Sequence, residues 1–139
     1  MPPKPISVLI ADDKNEDRFL LNQTIAHHAA DLRVVGEVEN GLQLIEYLSG
    51  KNEYADRGKY PFPQLLFMDL RMPQMDGFQV LEWLQRHPRP GLKVAVLADS
   101  SGIAYRSQAM ELGAHFFYSK PIQATGLADA IKQFRDEMA

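Results

Sequence analysis

The stretch Leu65-Leu66-Phe67-Met68-Asp69-Leu70-Arg71-Met72-Pro73-Gln74-Met75-Asp76-Gly77 runs from unbroken apolar residues into an aspartate and then a turn. A short apolar run bounded by turn residues reads as a strand covered on both faces. Ile6 to Ala11 is a second such run and ends in Asp12-Asp13; His115 to Ser119 is a third and ends in Lys120-Pro121. The strands of an open parallel α/β sheet share one carboxyl edge, and sites form there. These three endings bring three carboxylates and one ammonium to that edge, a charged pocket of a size for a divalent metal.

Outward from these runs, strand and helix patterns alternate along the chain. A helix is predicted over about 15–29, with Asn15 as N-cap, Glu16 and Asp17 suiting the first-turn dipole, and Phe19, Leu20, Thr24, Ile25 and His28 on one face. Arg33 to Val38 reads as the second strand, and Asn40-Gly41 opens a helix on which Leu44, Ile45 and Leu48 keep helical spacing until Gly50. The polar, proline-containing segment 51–63 reads as a surface loop, longer than a compact βαβ connection usually needs. Strand three is Gln64 to Asp69. Gly77 starts a helix with Val80, Leu81 and Leu84 inward, stopped near His87 by Pro88 and Pro90. Leu92 to Ala98 is strand four, a helix over about 103–112 ends at Gly113, and the closing helix near 123–137 turns Leu127, Ala130, Ile131 and Phe134 inward. Five βα units in series predict a parallel five-stranded sheet with helices on both sides.

Composition sets the bounds. At 139 residues, 45% hydrophobic and 24% charged, the chain is expected to be one domain over 1–139 with its core in about 6–137. A net charge of −3 gives no basic footprint for nucleic acid. No cysteine is present, which removes disulfides and thiolate ligands. No apolar run approaches the roughly 20 residues that span a bilayer, and Met-Pro-Pro-Lys-Pro at 1–5 lacks the apolar core of a signal peptide. A cytoplasmic protein is expected.

Asp12-Asp13, the run Met68-Asp69-Leu70-Arg71-Met72-Pro73 with Met75-Asp76-Gly77, and Lys120-Pro121 together resemble the receiver domain of two-component response regulators, over essentially the whole chain. The resemblance implies a flavodoxin-like (CheY-like) three-layer α/β sandwich. It also implies that Asp69 accepts a phosphoryl group from a histidine kinase or phosphotransfer protein, with Mg²⁺ as cofactor. Asp13 and Asp69 would ligate the ion directly, the Arg71 backbone carbonyl would be a third ligand, and Asp12 would act through water. Lys120 would pair with Asp69 and then with a phosphoryl oxygen, Pro121 would be the family's cis proline, and Gly77 would let the loop enter its helix without a side chain. Taken singly, Asp12-Asp13 reads equally as a turn with a helix cap, Asp76-Gly77 as a turn, and Lys120 as a surface lysine. Their joint order at three strand ends is what separates the readings. His27, His28, His87 and His115 show no ligand spacing and read as structural or surface residues.

One position departs from the family pattern. The switch hydroxyl should fall at the end of strand four, where this chain has Ala98, followed by Asp99, Ser100 and Ser101. Loss of that hydroxyl removes a hydrogen bond to a charged acceptor, and Asp99 adds a negative charge near the incoming phosphate. Ser100 could restore a donor by swinging inward. The aromatic switch position, three before the lysine, is Phe117, which has no hydroxyl. The functional expectation is a stand-alone, phosphorylation-controlled binding module rather than an enzyme, with output to a downstream protein through residues of about 103–137 and no nucleic-acid or membrane partner. The alternative is a phosphorylation-independent pseudo-receiver. A haloacid-dehalogenase-like hydrolase would need its nucleophile after strand one and an acid two residues later, where Asp69 instead has Arg71.

Overall fold

In the computed structural model, which describes residues 4–138, five strands alternate with five helices. The ends of the expected 1–139 domain, residues 1–3 and 139, lie outside the described residues. The strands are β1 (Ile6–Ala11), β2 (Leu32–Val38), β3 (Leu65–Asp69), β4 (Lys93–Ala98) and β5 (Phe116–Ser119). The helices are α1 (Asn15–His28), α2 (Gly41–Ser49), α3 (Gly77–Arg86), α4 (Arg106–Glu111) and α5 (Ala124–Met138). All pairings are parallel, in the order β2-β1-β3-β4-β5. The order reverses between β1 and β3, so a crevice opens at their carboxyl ends.

Period-two alternation divides each strand between two cores. Leu9, Ala11, Leu66, Met68, Val94 and Val96 face α2, α3 and α4, where they meet Leu44, Leu48, Val80, Leu81 and Ala109. Val8, Ile10, Leu65, Phe67, Ala95 and Leu97 face the other way, against Leu21, Ile25, Leu127, Ala130 and Phe134 of α1 and α5. Because both faces are covered, β1 and β3 carry apolar residues almost throughout. That is why they read as strands in the sequence.

Helix α1 corrects the sequence expectation. Ile25 faces the sheet as expected, but its buried companion is Leu21, while Phe19 and Leu20 are 60% and 47% exposed and His28 lies in solvent. Lys14, with extended backbone, takes the N-cap position instead of Asn15, which is the first helical residue. On α2 the buried aromatic is Tyr47, with Ile45 only half-buried. Leu84 and Ile131 likewise sit at the margin of their cores. The helix expected over 103–112 begins as a 3₁₀ turn, Ile103–Tyr105, before α4, and Gly113 follows with φ 109°.

Segment 51–63 is less of a surface loop than its polarity predicts. It contains a 3₁₀ turn, Asn52–Ala55, that buries Tyr54 against Tyr47 with ring centroids 4.8 Å apart. The Arg57 guanidinium lies 5.6 Å over the Tyr47 ring and 5.5 Å over Phe62, and it donates to the Leu48 and Tyr60 carbonyls. Aromatic bodies with polar tips form this satellite core beside α2. Among the described residues no helix is long and apolar enough to cross a membrane.

Candidate functional site

The carboxyl ends of β1 and β3 carry the acidic side chains. The Asp12 amide donates to the Val38 carbonyl at 3.1 Å, so this residue continues the sheet edge. Its Oδ1 accepts the Lys14 amide at 3.0 Å, which turns the chain into α1. Arg18, one turn along that helix, donates from Nη1 to the Asp12 carbonyl at 2.7 Å and from Nε to Glu37 Oε1 at 3.2 Å. A single guanidinium thereby ties the β1–α1 turn to the end of β2. Asp69 ends β3, and its Oδ1 accepts the Arg71 amide at 3.3 Å. Asp12 and Asp69 are buried at 5% and 6% exposure, whereas Asp13 is exposed. One carboxylate oxygen from each of the three lies within 4.8 Å of the others.

Lys120 enters from the end of β5. Its amide donates to the Ala98 carbonyl at 2.8 Å, and the Lys120–Pro121 peptide is cis, as expected for Pro121. The ammonium lies 3.3 Å from Asp69 Oδ2, but its shorter contacts are to Asp12 Oδ2 at 2.5 Å and Asp17 Oδ2 at 2.9 Å. Burial works to lower the Lys120 pKa, yet the hydrogen bonds to Asp12 and Asp17 and the charges of Asp69 and Asp12 outweigh it and raise the pKa. Burial raises the Asp69 pKa; the Lys120 charge pulls it back and the Asp12 charge pushes it further up.

Glycine 77 has a spatial reason to be glycine. A Cβ there would meet the Leu70 Cα at 2.8 Å and the Asp69 carbonyl oxygen at 2.9 Å. Its amide donates to the Leu70 carbonyl at 2.8 Å, closing the turn after Asp69. Asp76 is the N-cap of α3 in a reciprocal capping box with Gln79, which accounts for its place without a ligand role.

The model of the response regulator receiver domain matches residues 8–132. This chain belongs to the response regulator receiver family. Over 136 residues the receiver is 35% identical to a protein-glutamate methylesterase/protein-glutamine glutaminase of Saccharophagus degradans, covering 97% of this chain and 35% of that protein. A protein of the same name from Geobacter metallireducens is 37% identical over 122 residues, covering 87% of this chain and 30% of that protein. The chain thus spans about a third of the length of the curated relatives it matches. Among solved structures, the bacteriophytochrome response regulator AtBRR shares the fold at TM-score 0.78 and 23% identity, covering 96% of this chain and 94% of that one. A response regulator in red light signaling of R. palustris reaches TM-score 0.75 at 29% identity, covering 91% and 89%.

The residues expected to form the switch region lie at the end of β4 and on β5. Ala98 is buried at the end of β4, where no side-chain hydroxyl is available. Asp99 turns its Oδ1 onto its own loop, accepting the Ser101 amide at 3.0 Å, the Ser101 hydroxyl at 2.6 Å and the Gly102 amide at 3.0 Å. Ser101 is the hydroxyl engaged there, and Ser100 is exposed. Phe117 is half-buried against the core shared with α4. Its neighbour Tyr118 donates its hydroxyl to Asp129 Oδ2 at 2.7 Å, linking β5 to α5.

Two site residues escaped the sequence reading. Asp17 reads in the sequence only as a favourable first-turn acid, yet it accepts from the Lys120 ammonium, and Arg18 donates to the Asp12 carbonyl in the β1–α1 turn. Their signal lies in spacing: residues four or five beyond Asp13 on a helix starting at Asn15 sit one turn from the sheet edge.

Proposed function

We propose that this receiver takes up one phosphoryl group on Asp69 from a phosphohistidine donor, a histidine kinase or phosphotransfer protein. The observation that supports this most directly is the convergence of a buried Asp69, two further carboxylates within 4.8 Å and the Lys120 ammonium at 3.3 Å. An Asp69 carboxylate oxygen attacks phosphorus and the phosphorus–nitrogen bond breaks. The imidazole leaves with the electron pair and is protonated. Burial that raises the Asp69 pKa also makes its carboxylate a more basic nucleophile. Lys120, a compact point charge, moves with the developing negative charge.

Three carboxylates at one edge form a hard-oxygen donor set, which suits Mg²⁺. Asp13 and Asp69 would hold the ion, with the Arg71 carbonyl as a third ligand and Asp12 through water. When bound, it supplies positive charge that offsets the dianionic phosphoryl group. Output then runs to a downstream protein through residues of about 103–137, where Ile103 and Tyr105 are exposed and Phe117 is positioned to change its packing. A cytoplasmic setting goes with this reading, because the donor is charged from ATP. Hydrolysis of methyl esters and glutamine is named for the longer relatives as whole proteins, and no such activity is proposed for this domain.

A second reading, a receiver that binds its partner without phosphate, is favoured by Ala98 and by the self-contained Asp99 turn. Intact-mass analysis separates the two. With acetyl phosphate and Mg²⁺ the protein should gain one phosphoryl group, and Asp69→Asn should gain none. A folded wild type without adduct would leave the phosphate-independent reading.

A further inference from the structure

We propose that Asp17 is a positioning residue that draws the Lys120 ammonium away from Asp69 and thereby sets how readily the site accepts a phosphoryl group. This rests on Asp69 being the acceptor. An ammonium has three donors. Here Asp12 Oδ2 and Asp17 Oδ2 take the two short contacts, at 2.5 and 2.9 Å, while Asp69 Oδ2 stands off at 3.3 Å. Three carboxylates share one cation, and the one due to gain charge holds it least closely.

The partners differ in how easily they can let go. The Asp12 side chain is 7% exposed and its other oxygen is committed to the Lys14 amide, so Asp12 is fixed in the turn. The Asp17 side chain is 30% exposed and borders a cavity of about 250 Å³ that also touches Asp12, Lys120, Leu97 and Ile122. That volume admits several waters, so a released Asp17 carboxylate can be solvated. When a phosphoryl group builds up on Asp69, Lys120 turns toward it and Asp17 is the contact given up. The pair Asp17–Lys120 therefore stabilises the unmodified state relative to the modified one, and the Asp17 charge also repels the incoming anion. Both effects act in the same direction.

Beryllofluoride with Mg²⁺, titrated into the protein and followed by fluorine NMR, reads this directly. Asp17→Asn keeps the shape and removes the charge. It should bind the anion about three- to fivefold more tightly than wild type, the scale of one partly exposed ion pair. Asp17→Glu should return binding toward the wild-type value. Glu16→Gln, an exposed acid on the same helical turn with the same change in net charge, controls for general electrostatics and should match wild type. Thermal unfolding of each variant verifies that the fold is retained. Binding by Asp17→Asn that equals Glu16→Gln, or is weaker than wild type, overturns the positioning role while leaving Asp69 as acceptor. Wild type that binds no beryllofluoride and takes up no phosphoryl group overturns both.

Discussion

The Asp99 carboxylate accepts the Ser101 hydroxyl at 2.6 Å, closing the turn after β4 on itself. In the arrangement expected of the family, this loop carries the hydroxyl that answers to the phosphoryl group. Here the residue at that place is Ala98, and the following acid spends its acceptor on Ser101 and Gly102. Asp99→Ala should therefore lower the unfolding free energy by about 1 kcal/mol, the scale of a lost side-chain cap. The Ser101 hydrogen bond is the main reason that the Asp99 pKa is lowered. A depressed carboxyl contributes stability above its unfolded pKa and loses it as pH falls through the folded value. Denaturant titrations should accordingly show the wild-type advantage at neutral pH and its disappearance in acid. An advantage that persists in acid would mean the carboxylate does not hold the turn.

Asp69 behaves in the opposite sense. Burial raises its pKa, so the folded state binds more protons than the unfolded chain between the two values. Stability then falls as pH rises through that window, and the ionised group is a net cost above it. Asp69→Asn should raise the melting temperature at neutral pH, and the gain should vanish below the unfolded carboxyl pKa. Lys120 retains Asp12 and Asp17 in this variant, so no unpaired ammonium is left behind. Mg²⁺ should stabilise wild type more than Asp69→Asn, since the variant lacks one carboxylate of the set. Equal stabilisation of the two by Mg²⁺ would separate Asp69 from the ion.

Restoring a hydroxyl at position 98 tests what its loss means. Ala98 is 1% exposed, and a Cβ built on Gly102 would lie 3.0 Å from the Ala98 Cβ, so the site has little spare room. Ala98→Ser adds one atom where threonine adds two. A hydrogen bond to a charged acceptor is worth about 1.5–3 kcal/mol, so beryllofluoride affinity should rise by about tenfold or more. The phosphorylated form should also persist longer, measured by decay of the mass adduct. No change in affinity would indicate that another donor, such as Ser100, already reaches the anion.

How much of this was readable in the sequence depended on where each side chain looks. Strands covered on both faces announce themselves as almost continuous apolar runs, interrupted here only by Ser7 in β1 and Lys93 in β4, so β1, β3 and β4 and the edge that they share were legible from Ile6, Leu65 and Leu92 onward. Helix α1 was harder, because Phe19 and Leu20 are apolar yet exposed, and the inward positions Leu21 and Ile25 have few apolar neighbours on their own helix. Segment 51–63 misled for a different reason. Its charged and polar residues suggested solvent, but a tyrosine buries its ring while its hydroxyl stays bonded, as Tyr54 does in accepting from Gln43 Nε2 at 2.8 Å. Asp17 was visible only as a dipole partner, because its role depends on Lys120 more than a hundred positions away.

The turn after Asp69 offers a last test, through two glycines in different surroundings. Neither Gly77 nor Gly91 has a positive φ, so substitution at each is a question of space alone. At Gly77 a Cβ would press on the Leu70 Cα and the Asp69 carbonyl, both backbone atoms that cannot rotate away. Gly77→Ala should cost about 1–3 kcal/mol, the range for overpacking a filled site. It should also weaken Mg²⁺ binding, because the displaced backbone leads directly to Asp69 and Arg71. At Gly91 a Cβ would meet nothing within 4 Å. Gly91→Ala should be neutral or stabilising by about 0.4–1 kcal/mol through the unfolded chain, with Mg²⁺ affinity unchanged. Paired denaturant and Mg²⁺ titrations of the two variants decide the matter, and equal behaviour would mean that the Gly77 turn has freedom to move that its close contacts deny.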